Sequence, residues 1–165
     1  MTDARVLVVY YSRGGNTRGI ARSIAAALHA DLEELTDGME RRGAWGYLRC
    51  TLDSLLRRRA RLRPLTHDPY AYDLVVVGTP VWVGRTSSLV RAYLDRHRGR
   101  MARVAFFLTH GGTARDRVFE EMAVLAGARP VSCMAIRERE IEIGDDARKV
   151  EVFVDALRAS LPAPV

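Results

Sequence analysis

The stretch Val6-Leu7-Val8-Val9-Tyr10-Tyr11-Ser12-Arg13-Gly14-Gly15-Asn16-Thr17, followed by an apolar-periodic run from Ile20 to Leu28, decides how the rest of the chain is read. Its first half is a near-continuous apolar run, as expected of a parallel strand covered on both faces. Beyond it, Ile20, Ile24 and Leu28 fall on one helical face and Arg18 and Arg22 on another. Between strand and helix, Ser12, Arg13, Gly14, Gly15, Asn16 and Thr17 bring hydroxyls, an amide, a cation and two glycines to one junction. The first N–H groups of a helix have no intrahelical acceptor and carry partial positive charge, so such a junction suits a phosphate. It has neither GxxxxGK[ST] nor GxGxxG, which argues against nucleoside triphosphates and dinucleotides and favours a single terminal phosphate.

Outward from this junction, strands and helices alternate. A short second strand, Asp31 to Leu35, carries Glu33 and Glu34 and reads as an edge strand. A third, Asp73 to Thr79, ends in the loop Thr79-Pro80-Val81-Trp82-Val83-Gly84, and a helix capped by Ser87 or Ser88 runs through Leu89, Val90, Tyr93 and Leu94 to about His97. A fourth, Val104 to Thr109, ends in Thr109-His110-Gly111-Gly112, with Thr113 as cap of a helix through Val118, Met122 and Leu125 that Gly127 closes. A fifth, Pro130 to Ile136, leads through the charged residues 137–140 to a last helix from about Asp145 to Leu161, with Val150, Val152, Phe153, Val154 and Leu157 on its buried side. The alternation predicts one α/β domain over residues 1–165, a doubly wound five-stranded parallel sheet with right-handed crossovers. Ligands of such sheets bind outside the carboxyl ends of the strands, where all three unusual loops converge.

With 165 residues, 48% of them hydrophobic, the chain can bury a core without metals or disulfides. It has neither an apolar run long enough to span a membrane nor a basic-then-apolar leader, so a cytoplasmic protein is expected. Cys50 and Cys133 lack CxxC spacing, which argues against a redox pair or a zinc site. The net charge of +6 is concentrated: eight arginines between Asp37 and Arg63 face only three acids, Asp37, Glu40 and Asp53, leaving +5 there. Trp45, Leu48, Leu52, Leu55 and Leu56 recur at helical spacing in the same segment, predicting a covering helix over 44–61 with its arginines on the solvated side. No aromatics interleave with the arginines in the manner of a base-stacking surface, so nucleic acid is not expected.

On the second loop, Trp82 sits at the crest of the ligand edge, where an indole offers a platform for a flat heteroaromatic ring. Gly84 and the backbone of Val81-Trp82-Val83 could approach the ring edge. On the third, Gly111 and Gly112 let the chain pass close to a ligand, while His110 reads more readily as a satisfied or solvent-facing residue than as a catalyst. These loops yield no nucleophile–base pair, no paired carboxylates and no metal-ligand spacing. A phospho-acceptor receiver domain would need acids at the ends of strands one and three, and this chain has Tyr11-Ser12 and Thr79-Pro80 there.

The segments YYSRGGNT, VVGTPVWVG and FFLTHGG, in this order and near these separations, resemble the flavodoxins and flavodoxin-like FMN proteins of the short-chain type. The resemblance implies strand order 2-1-3-4-5 and non-covalent FMN. Ser12, Arg13, Gly14, Gly15, Asn16 and Thr17 would hold its phosphate. Thr79, Pro80, Val81, Trp82, Val83 and Gly84 would line one side of the ring, and Thr109, His110, Gly111 and Gly112 the other. Three departures stand out: Gly14 where the family usually has Thr, no ring-stacking Tyr in the third loop, and a basic rather than acidic balance. The expected role is electron transfer with a redox partner protein or a small-molecule acceptor, a partner of acidic surface being the complement of this charge. The cations Arg13 and Arg85, with His110, would favour the anionic reduced flavin and make its couple less negative than in acidic flavodoxins. One alternative is an NAD(P)H- or quinone-linked FMN oxidoreductase, similar in outline to flavodoxin-like protoporphyrinogen oxidases. Another is a non-catalytic binding module that uses the Arg-rich helix.

Overall fold

The computed structural model describes residues 4–38, 45, 46, 48, 52, 60–112 and 115–162. Strand β1 (Val6–Tyr10) leads into α1 (Asn16–Leu28) and β2 (Asp31–Glu34). After a 3-10 turn (Pro69–Ala71) come β3 (Leu74–Trp82), β4 (Arg85–Thr86) and α2 (Ser88–Arg96). The chain continues through β5 (Val104–His110), α3 (Arg115–Ala126), β6 (Cys133–Arg137), α4 (Glu138–Glu142) and α5 (Ala147–Ser160).

The five long strands are parallel in the order β2-β1-β3-β5-β6, which is the expected 2-1-3-4-5 once the short β4, antiparallel to the end of β3, enters the count. β1, β3 and β5 are buried along most of their length because helices cover both faces. On one face Ile20, Ala21 and Ile24 of α1 meet Val150, Phe153, Val154 and Leu157 of α5 over Val8, Val76 and Phe107. On the other, Leu89, Val90, Tyr93 and Leu94 of α2 and Val118 and Met122 of α3 cover Val9, Val77 and Phe106. Gly78, in the middle of β3, is dictated by packing: a methyl group there would lie 2.0 Å from Cζ of Phe107.

Several sequence expectations are corrected. β3 runs three residues past Thr79, because its end folds back on β4 as a hairpin instead of opening into a loop. The charged residues after β6 form the short helix α4. Val152 is 64% exposed, since α5 turns only the Val150/Phe153/Val154/Leu157 stripe inward. Trp45, Leu48 and Leu52 are exposed and do not form a buried seam, while most of the helix expected over 44–61, together with Cys50 and Thr113, lies outside the described residues. β2 is the edge strand the sequence predicts, and its Glu33 has a fixed place: the buried carboxylate accepts from the N–H groups of Thr66 (3.0 Å) and His67 (2.8 Å) and sits 2.7 Å from Nδ1 of His67. The loop at 65–68 is thereby fastened over the β2 edge.

Candidate functional site

The first loop is shaped by Ser12, whose buried hydroxyl accepts from the N–H of Gly15 at 3.1 Å. Gly15 occupies the N-cap of α1 with φ 104°, a conformation that disfavours any residue with a Cβ. Its N-cap glycine supplies no side-chain cap and its first turn contains no acid. A Cβ built on Gly14 or Gly15 would meet nothing within 4 Å, so open space lies over the helix N-terminus. Arg18 is drawn aside to Glu34 (2.7 Å), to which the hydroxyl of Tyr10 also donates (3.1 Å). Burial and then the Glu34 carboxylate hold the Tyr10 phenol above its ordinary range.

Thr17 on α1 and Thr109 near the end of β5, both buried, bring their hydroxyl oxygens to 2.8 Å. This pair ties the first loop to the third. Next along β5, His110 is itself buried, with Nδ1 on the carbonyl oxygen of Gly112 and Arg137 of β6 opposite in register. Gly111 and Gly112 are exposed, and a Cβ on Gly112 would meet open space.

The second loop is a hairpin. Val81 pairs with Thr86 and Trp82 with Arg85 around the two-residue turn Val83-Gly84, whose φ values of 51° and 66° are those of a type I′ turn. Val83, a β-branched residue in the left-handed region, is 60% exposed at the tip. Thr79 and Pro80 lie buried beneath: Oγ1 of Thr79 accepts from the N–H of Ser87 at 3.1 Å and lies 3.1 Å from its Oγ. Glu121 of α3 braces the hairpin from below, accepting from the N–H (3.1 Å) and hydroxyl (2.9 Å) of Thr86. Trp82 is half-buried, edge-to-face on Tyr11 with ring centroids 5.7 Å apart.

All sixteen sequence-nominated residues thus gather on the carboxyl edge of adjacent strands β1, β3 and β5, but in two layers. Arg13, Gly14, Gly15, Asn16, Val81, Trp82, Val83, Gly84, Gly111 and Gly112 are exposed or half-exposed. Ser12, Thr17, Thr79, Pro80, Thr109 and His110 are buried and brace the others. Sequence reasoning overlooked Tyr11 and Glu121, which set the positions of Trp82 and Thr86, and read Ser87 only as a helix cap, whereas its N–H and hydroxyl hold Thr79. Val-Gly lacks the Asn-Gly or Asp-Gly signature of a hairpin, so the local sequence carried no strong sign of the turn.

A doubly wound sheet with a glycine-capped helix N-terminus between two further loops on its carboxyl edge places the chain in the class of α/β proteins that bind ligands at that edge. The chain belongs to the flavodoxin family, whose model, described as Flavodoxin, matches residues 5–130. Among the solved structures that share the fold are three flavin-related proteins. A flavoprotein in complex with FMN from Lactobacillus acidophilus NCFM has TM-score 0.70 and 23% identity over 86% of this chain and 98% of its own. The two-electron reduced flavodoxin of Megasphaera elsdenii has TM-score 0.57 and 18% identity over 92% and 96%. The apo form of an NADH:FMN oxidoreductase (EMOB) has TM-score 0.60 and 16% identity over 97% and 91%. No curated protein matches the sequence. Among the described residues no helix is long and apolar enough to cross a membrane.

Proposed function

We propose that residues 1–165 form one flavodoxin-like domain that binds FMN non-covalently at this edge and serves in electron transfer in the cytoplasm. The observation that carries the reading is the glycine-capped N-terminus of α1, open above Gly14 and Gly15 and tied by Thr17 to the third loop at Thr109. The residues present fit the group. The backbone N–H groups of Arg13, Gly14, Asn16 and Thr17 would hold the phosphate in the field of the helix dipole, while the Gly15 N–H stays on Ser12 and shapes the loop, and Arg13 would add charge. Val81, Trp82, Val83 and Gly84 flank one side of the flavin ring, and Gly111 and Gly112 approach it from the other. The buried layer of Ser12, Thr79, Pro80, Thr109 and His110 keeps the three loops at fixed spacing. When bound, FMN supplies reversible one- or two-electron chemistry, which the protein orients and tunes. Arg13 and Arg85 favour the negative charge of the reduced flavin and raise its potential relative to acidic flavodoxins. The partner is a redox protein with an acidic surface, or a small-molecule acceptor.

The decisive experiment is the visible spectrum of the purified protein with titration of FMN and of riboflavin. Bound-flavin absorbance with strong quenching of FMN, and much weaker quenching of riboflavin, supports a phosphate-anchored site. A colourless protein that leaves FMN fluorescence unchanged refutes it. The open space at Gly112 favours a second reading, in which a flat substrate reaches the flavin and the protein is an NAD(P)H- or quinone-linked oxidoreductase. Steady-state turnover by the FMN-loaded protein selects that reading, and fast electron exchange with a reductase but no turnover selects the carrier.

A further inference from the structure

The strand β6 lies at the border of the sheet, and among the described residues no strand pairs with its outer side. Open edges invite pairing with another chain, and folded proteins block them in identifiable ways. The N–H of Phe106 donates to the carbonyl of Ser132, so Ser132, Met134 and Ile136 turn their backbone polar groups toward β5. Cys133, Ala135 and Arg137 turn theirs outward. A cleft of about 470 Å³ runs along this border, lined by Phe119, Cys133, Ala135, Val152 and Phe153 and by Lys149.

Two of the outward groups are occupied by side chains. The N–H of Arg137 donates to Oε2 of Glu140 at 2.7 Å, and Nζ of Lys149 donates to the carbonyl of Ala135 at 3.4 Å. The two side chains are joined to each other, Nζ lying 2.6 and 2.8 Å from the carboxylate oxygens. Lys149 and then the Arg137 N–H hold the Glu140 carboxyl below its ordinary range.

We propose that Glu140 and Lys149 form an edge guard that keeps the sheet from extending into a second copy of this chain. The occupant follows from the hydrogen-bond pattern. About a two-fold axis at Ala135, two β6 strands would pair antiparallel with Ala135 facing its own copy and Cys133 facing Arg137. Residues directly opposite at hydrogen-bonding positions exchange both N–H···O bonds. That ladder therefore needs the Ala135 carbonyl and the Arg137 N–H, the two groups the guard covers. Only the bonds between Cys133 N–H and Arg137 carbonyl would remain, too few to hold two chains. The bond from the Arg137 N–H to Glu140 also closes the first turn of α4, but that local role predicts a loss of stability without a change in mass.

The test is sedimentation velocity and light scattering across a dilution series. The wild type is expected at the mass of one chain, 18.5 kDa. Glu140→Ala/Lys149→Met should move toward twice that mass as concentration rises. Adding Ala135→Pro, which deletes an N–H that points away from β5, should return it to one chain. Should the double variant fail to fold by far-UV circular dichroism, Lys149→Met alone, which frees the Ala135 carbonyl and leaves the α4 cap in place, should show weaker association of the same kind. A folded guard variant that keeps the wild-type mass overturns the proposal. So does association that survives Ala135→Pro, because another surface then joins the chains. A wild type already paired, and separated by Ala135→Pro, overturns it too, since the guard then leaves the edge open.

Discussion

Replacing Thr17 or Thr109 by Val probes a contact that ties the first loop to the third. Each oxygen is buried and lies 2.8 Å from the other, so removing either hydroxyl leaves its neighbour without that partner in a site nearly closed to water. Leaving a buried hydroxyl unsatisfied costs about 1–3 kcal/mol, and replacing both partners by apolar groups of similar shape can be nearly neutral. Val matches Thr in shape, so neither substitution opens a cavity. For a chain of this size about 2 kcal/mol corresponds to a fall in Tm of roughly 4–8 °C. The double variant should recover much of that loss, giving a coupling of about 1–2 kcal/mol in a double-mutant cycle. Urea unfolding of the four proteins measures it, and FMN titration of the same samples tests the functional consequence. Because the pair sets the spacing of two loops, both single variants should weaken FMN binding. Stabilities additive to within about 0.3 kcal/mol would refute the coupling. Weakened FMN binding confined to Thr17→Val would instead make that hydroxyl a direct phosphate ligand.

The other expectations are simpler. Gly14→Thr meets no atom within 4 Å of its Cβ and adds a hydroxyl to the first loop; it should tighten FMN binding by about tenfold or more, as expected of a hydrogen bond to a charged group, and unchanged affinity in fluorescence titration would place Gly14 away from the phosphate. Val83→Asn relieves a β-branched residue at φ 51° and should stabilise the protein by about 1 kcal/mol in thermal melts, whereas no gain would mean that the hairpin strain is absent. Burial, then Arg96 and Arg100, holds His97 below its ordinary 6.5, with Nδ1 2.7 Å from the Tyr70 hydroxyl. The unfolded chain therefore binds this proton first on acidification, so His97 contributes stability above pH 6.5 that is lost as the pH falls from there through its lower folded value. Urea midpoints over that window should decline for the wild type and more shallowly for His97→Gln, and parallel slopes would contradict the assignment.

Much of the fold was legible because its causes are local or periodic. Runs such as Val6–Val9 and Leu74–Val77 are apolar without alternation because both faces of their strands are covered, and helical stripes such as Ile20/Ile24 follow from a period of 3.6 residues. The three glycine- and hydroxyl-bearing loops were legible for the same reason: the carboxyl ends of parallel strands in an alternating chain fall on one edge of the sheet. Sequence could not reveal the partners that distant segments lend one another. Trp82 is positioned by Tyr11, Thr86 by Glu121, Thr79 by Ser87 and Glu33 by Thr66 and His67, and each partnership depends on register and crossover. The β3–β4 hairpin was hidden because Val-Gly is a weak turn signal that tertiary bracing makes good. By itself the sequence determined the alternation of elements, the parallel sheet and the edge where its loops meet. Only the tertiary structure decided which loop residues stay open to a ligand and which become buried braces, because burial and hydrogen-bond pairing are properties of neighbours brought together across the sheet.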